Sequence, residues 1–157
     1  MSFQRLRTDY AFAIFVLFCV VAMLGIGPFA IYRFAQGATV AGVVDALIVF
    51  SLAAGLVHVW RGGDVARASL LIVAVTTVGC VVIGRLIGLP GALWSFPAIL
   101  ANFLLVRRSH ALLASAAVIL CLVLEGSAFG SAAERLMYLA AAAVTCLFAY
   151  VFAHQTH

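Results

Sequence analysis

AFAIFVLFCVVAMLGIGPFAIYRFA, residues 11–35, carries one charged side chain, Arg33. Coiled at ~1.5 Å per residue it reaches about 38 Å, more than the ~30 Å hydrocarbon core of a bilayer. A helix this long and apolar all round has no place on the surface of a soluble domain, so lipid is the solvent it is built for. The rest of the chain agrees: 67% of its residues are hydrophobic, 9% are charged and the mean hydropathy is +1.26. The run is too long for the apolar region of a signal peptide and is followed by further runs, so it is read as a retained first span.

Apolar segments recur at 39–60, 67–84, 91–106, 110–125 and 135–153, separated by short breaks rich in Gly, Arg and polar residues. The expected fold is therefore an all-α integral membrane bundle of six spans in a single domain, residues 1–157, since no repeat, linker or low-complexity segment divides it. The fourth span reaches only about 24 Å, short of the ~30 Å core. Helix-start chemistry marks several breaks: "SAAE" at 131–134 is a capping box, Asp64 in "RGGDVAR" caps the third span, and Thr39 and Ser109 are placed to cap the second and fifth. Pro90 lies where a missing N–H costs little, and Gly25, Gly27 and Pro28 of "GIGP" read as a kink and close-packing site in the first span.

All nine basic residues are arginines and the net charge is +4, which suits an anionic membrane surface. No basic patch interleaved with aromatics points to nucleic acid. With the N-terminus in the cytoplasm, Arg5, Arg7, Arg61, Arg67, Arg107 and Arg108 fall inside and Arg33, Arg85 and Arg135 outside, so both termini are expected to be cytoplasmic. Cys19, Cys80, Cys121 and Cys146 each stand alone in an apolar run and read as small core residues.

Depth separates the remaining ionisable residues into two layers. Arg33, Asp45, Arg85 and Glu125 lie toward the outer ends of their spans, with Trp94 at the same interface. Asp45 is about two turns inside its span, too deep to cap it, and Glu125 opposes the macrodipole of the helix it ends. These residues read either as a polar pocket for a ligand or as interhelical ion pairs that lock the bundle. Ser95 and Asn102, seven apart on one face of the fourth span, read as interhelical hydrogen-bonding groups. His58, His110, His154 and His157 lie toward the other side, where a haem or metal site at His58, His110 and His154 is the alternative to ordinary interface histidines. No nucleophile elbow, HExxH or phosphate loop occurs, so no catalytic residue and no cofactor is expected.

One stretch carries a resemblance. "LWSFPAILANFLLVRR" offers Trp94, Phe96, Pro97, Asn102, Phe103, Leu104 and Leu105, and resembles the fourth helix of the six-helix membrane sensor regions of bacterial GGDEF diguanylate cyclases. That resemblance implies a multi-pass protein of the bacterial inner membrane. It implies a homodimer that senses a small ligand or lipid and passes the signal through its last helix to a cytoplasmic cyclase. The chain stops at "FAHQTH", where the connector is expected to begin, and "RGGD" at 61–64 is followed by Val65 and Ala66 rather than an acidic-aromatic completion. By this reading the chain is the input half of a cyclic di-GMP signalling protein and is no enzyme itself. The rival expectation is the substrate-binding membrane subunit of a small-molecule transporter, also with six helices; a third is a structural subunit.

Overall fold

The computed structural model describes residues 9–155. Every element among them is α-helical: α1 Tyr10–Ala35, α2 Thr39–Trp60, α3 Val65–Ile87, α4 Leu89–Ala92, α5 Ser95–Leu105, α6 Arg108–Glu125 and α7 Ala132–Gln155. Five of them, α1, α2, α3, α6 and α7, are long and apolar enough to cross a membrane, which marks a multi-pass membrane protein. The fourth apolar run differs from the expected single span. It is divided into α4 and α5 around Leu93 and Trp94, and α5 has eleven residues.

The helices start and stop for local reasons, not all of them the expected ones. Asp9 opens α1, its carboxylate accepting from the Phe12 amide at 3.1 Å. Asp64 accepts from the Ala66 and Arg67 amides at 2.8 and 3.4 Å and opens α3. At α7, Ser131 accepts from the Glu134 amide at 3.2 Å, while the Glu134 carboxylate takes the Gly130 amide, one residue before the one a capping box uses. Thr39 and Ser109 do not cap. The residue ahead of α2 is Ala38 and that ahead of α6 is Arg107, neither with a side-chain bond, and the Thr39 hydroxyl turns to the Gly37 carbonyl at 3.4 Å.

Both α1 and α2 end in the same closure. The amide three residues past the helix returns to the carbonyl five back, Ala38 to Arg33 and Gly63 to His58 at 2.9 Å each, and a glycine with positive φ, Gly37 or Gly62, permits the reversal. The turn from α1 to α2 is therefore tight, and it feeds α2 directly without room for a side-chain cap.

By its own contacts the chain divides into two compact units, Met1–Val75 and Thr76–His157. In the first, α1 and α2 pack along each other around Phe12, Phe15, Cys19, Leu52 and Val59, with the Phe12 and Trp60 rings 6.0 Å apart. Gly42 lies against the Phe34 ring, and Gly55 accepts Ile72 and Phe15. Gly25 and Gly27 are not packing points as expected, because nothing approaches within 4 Å of where a Cβ would stand, and α1 is continuous through Pro28. In the second unit α5, α6 and α7 pack on one another around Ile99, Phe103, Ala111, Val118, Leu122, Tyr138 and Ala142.

Candidate functional site

The first unit places Arg33 in the last turn of α1 and Asp45 about two turns into α2, on either side of the tight turn. The Arg33 Nη1 donates to Asp45 Oδ2 at 2.5 Å, with the residues only 8% and 4% exposed. Burial in lipid surroundings makes this pairing obligatory: a lone guanidinium or carboxylate at that depth has no other source of compensating charge. Arg33 also stands at the carboxyl end of its helix, where the macrodipole favours a cation.

The second unit makes the other expected pair. Arg85, in the last turn of α3, donates through Nε to Glu125 Oε2 at the end of α6. This pair is looser in its surroundings, the side chains being 53% and 32% exposed, and a pair so open contributes at most about 1 kcal/mol. The repulsion between Glu125 and the end of its own helix is met by Arg135 at the start of α7, whose guanidinium reaches the Val123 and Leu124 carbonyls. Trp94, directly ahead of α5, is half-buried beside the core, and its carbonyl accepts the Cys80 thiol at 3.6 Å.

A second set of polar residues is fully enclosed. Ser95 and Asn102 face inward from α5 as expected, 0% and 1% exposed, but they serve different neighbours. The Ser95 hydroxyl meets the Tyr138 hydroxyl of α7 at 2.7 Å, and the Asn102 amide nitrogen donates to Ser115 Oγ of α6 at 3.3 Å. The Asn102 Oδ1 is buried without a partner, which costs about 1–3 kcal/mol in this arrangement. Around Tyr138 stand Phe96, edge-on at 5.7 Å, and Phe129 at 5.1 Å, while Phe103 meets Tyr150 edge-on at 6.3 Å. Farther along, Arg108 at the start of α6 binds the end of α7, donating to the Ala153 carbonyl at 3.0 Å and to His154 Nδ1 at 2.7 Å. That contact gives the guanidinium a helix carboxyl terminus to neutralise, and uses His154 as an acceptor with its other nitrogen protonated.

No family model, curated protein or solved structure matches the chain.

The four charges expected at one depth thus form two ion pairs, one in each unit. Among the described residues no three His, Cys, Asp or Glu side chains group as metal ligands, and His154 is engaged by Arg108, so the haem or metal expectation at His58, His110 and His154 gains no ligand set. His157, Arg5 and Arg7 lie outside the described residues. Tyr138, Ser115 and the Arg108 contact were not anticipated. Ser115 had a readable signal, a lone hydroxyl in the run Ala114–Ala117 of a membrane helix, whereas Tyr138 reads as one more interfacial aromatic.

The Ser95–Tyr138 bond has a direct test. Tyr138→Phe keeps the rings in contact and removes the hydroxyl, so detergent-micelle unfolding should show a loss of about 0.6–1.7 kcal/mol, the range for interhelical bonds in membranes. Ser95→Ala should cost little more once Tyr138 is Phe. Fully additive losses would mean that the two hydroxyls are not coupled.

Proposed function

We propose that the chain is the membrane-embedded input domain of a bacterial inner-membrane signalling protein, controlling a cytoplasmic diguanylate cyclase and so the level of cyclic di-GMP. In this reading it makes six crossings, with α4 and α5 together as the fourth, both termini are cytoplasmic, and it works as a homodimer without catalysis of its own. One observation carries the reading: the helix bearing the family-like residues is fastened along its length to α7, the helix that would lead to the cyclase. Ser95 and Phe96 hold Tyr138, Phe103 holds Tyr150, and just beyond α5 Arg108 holds the Ala153–His154 end.

The mechanism is a change in the balance between two arrangements of α7. A stimulus that shifts α5 moves Tyr138 and Tyr150 with it and alters how two copies of α7 meet. The unpartnered Asn102 oxygen favours such a balance, since an arrangement that supplies a donor to it recovers part of its cost. Exposure of Leu136, Met137, Ala140, Ala143 and Leu147 along α7 supports a surface for the second copy.

The test joins residues 1–157 to a cyclase domain and measures cyclic di-GMP in cells, with membrane levels of the protein followed in parallel. Arg108→Gln and Tyr138→Phe should each change output severalfold at unchanged membrane levels, by release of α7 rather than by loss of the fold. Output that ignores both substitutions, or a native mass spectrum showing a monomer holding one metabolite, would overturn the sensor reading. The second result would favour a carrier subunit.

A further inference from the structure

One face of α2 remains uncommitted to the core of its unit. Phe50, Ala53, Ala54, Val57, His58 and Arg61 follow one another at helical spacing and line a shallow groove that Gly62 and Gly63 close. Phe50 and Val57 stand as walls, 72% and 49% exposed, and the two alanines form the floor. From Phe50 to Arg61 the groove runs about 17 Å, close to the ~15 Å depth of one leaflet's hydrocarbon.

Its mouth is cationic. Arg33, Arg67, Arg85, Arg108 and Arg135 each have a protein acceptor, whereas among the described residues Arg61 and Arg107 have none for their guanidinium groups. The nearest carboxylate in sequence, Asp64, is already engaged by Arg67 at 3.5 Å and by the two amides it caps. The Gly62 and Gly63 amides are spent on the helix closure, so the donors left at the mouth are side chains. His58 is one of them: its ring packs on Gly63 where any Cβ would collide with it, which holds the imidazole at the mouth with Arg61.

We infer that this groove is a specific site for an anionic phospholipid, its phosphodiester on Arg61 and His58 and one acyl chain along Ala53 and Ala54 between Phe50 and Val57. Three observations choose this occupant. The apolar trough has one leaflet's length, the cation lies at its interfacial end, and among the described residues no carboxylate competes for that cation. A zwitterionic lipid brings its own cation to the same place and gains less. The inference is independent of the signalling proposal, since it concerns only the first unit.

The chain is purified in mild detergent, stripped of lipid and titrated with phosphatidylglycerol or phosphatidylcholine of matched chains, retained lipid being counted by native mass spectrometry. One phosphatidylglycerol should be held about tenfold more tightly than phosphatidylcholine, and Arg61→Gln should remove most of that difference. Ala54→Leu, which fills the trough and leaves the mouth intact, should weaken both lipids. Arg107→Gln, which removes an equally unpartnered cation, should change nothing. Because these positions are exposed, unchanged thermal unfolding of each variant separates lost binding from lost fold. Equal retention of the two lipids, equal losses for Arg61→Gln and Arg107→Gln, or no effect of Ala54→Leu would each overturn the site.

Discussion

Asp45→Ala should destabilise the first unit by about 3–5 kcal/mol, the loss expected when one partner of a buried ion pair is removed and the other is left uncompensated. Arg33 is 8% exposed in a turn closed by the Ala38–Arg33 backbone bond, so the unpaired guanidinium cannot reach water without opening the end of α1. Replacing both partners, Arg33→Met with Asp45→Leu, should restore most of the loss, because well-packed apolar residues of similar volume commonly replace a buried pair at little cost. Glu125→Gln provides the contrast. Its pair with Arg85 is half-open, and the substitution should cost no more than about 1 kcal/mol. Unfolding of the four proteins in mixed micelles measures all of this. A single Asp45→Ala that unfolds like the parent would show that Asp45 is not held by Arg33 and would return it to the ligand-pocket expectation.

Gly91→Ala should be nearly as severe, about 3 kcal/mol, at the upper end of the over-packing range. Gly91 is buried in α4, and a methyl group there would stand 2.8 Å from the Ile83 carbonyl carbon, nearer still to its oxygen, and 3.1 Å from the Gly84 Cα. Every one of those atoms is backbone, so no rotamer change relieves the contact; the end of α3 must separate from α4. Gly27→Ala should do the opposite. With nothing within 4 Å of the new methyl, the substitution should stabilise α1 by up to about 1 kcal/mol through helix propensity alone. If the two substitutions have equal effects, the close approach of α3 and α4 is not as described.

The contrast between these glycines shows where the sequence was readable. The long helices were legible because their apolar runs are bounded by charged or glycine-rich turns, and the ends of α1 and α2 fall within a residue or so of the expected limits. The break between α4 and α5 was not, since "GALWSFP" keeps its apolar character through it and hydropathy does not register backbone direction. Thr39 and Ser109 had the right residue types for caps, but a cap also needs an extended approach with its side chain turned back, which the tight turn ahead of α2 does not provide. Depth marked Asp45, and the helix macrodipole marked Glu125, as carboxylates that need partners, with Arg33 and Arg85 as candidates at the same level. Which cation met which carboxylate depended on helix facing, a tertiary property. The same is true of Tyr138, whose hydroxyl gains meaning only from Ser95 forty-three positions earlier.

The brevity of α5 has a further consequence. Eleven residues of helix cover about 16 Å, and even with α4 the run Leu89–Leu105 reaches only about 25 Å, short of a bilayer's ~30 Å hydrocarbon depth. In the six-crossing reading, the lipid beside it must thin, or the neighbouring helices must tilt to share the deficit, and either response has an elastic cost that rises with membrane thickness. If the proposed sensor reading holds, thickness acts as a force on the segment that holds Tyr138 and Tyr150, and lipid chain length is an input that needs no ligand at the outer charges.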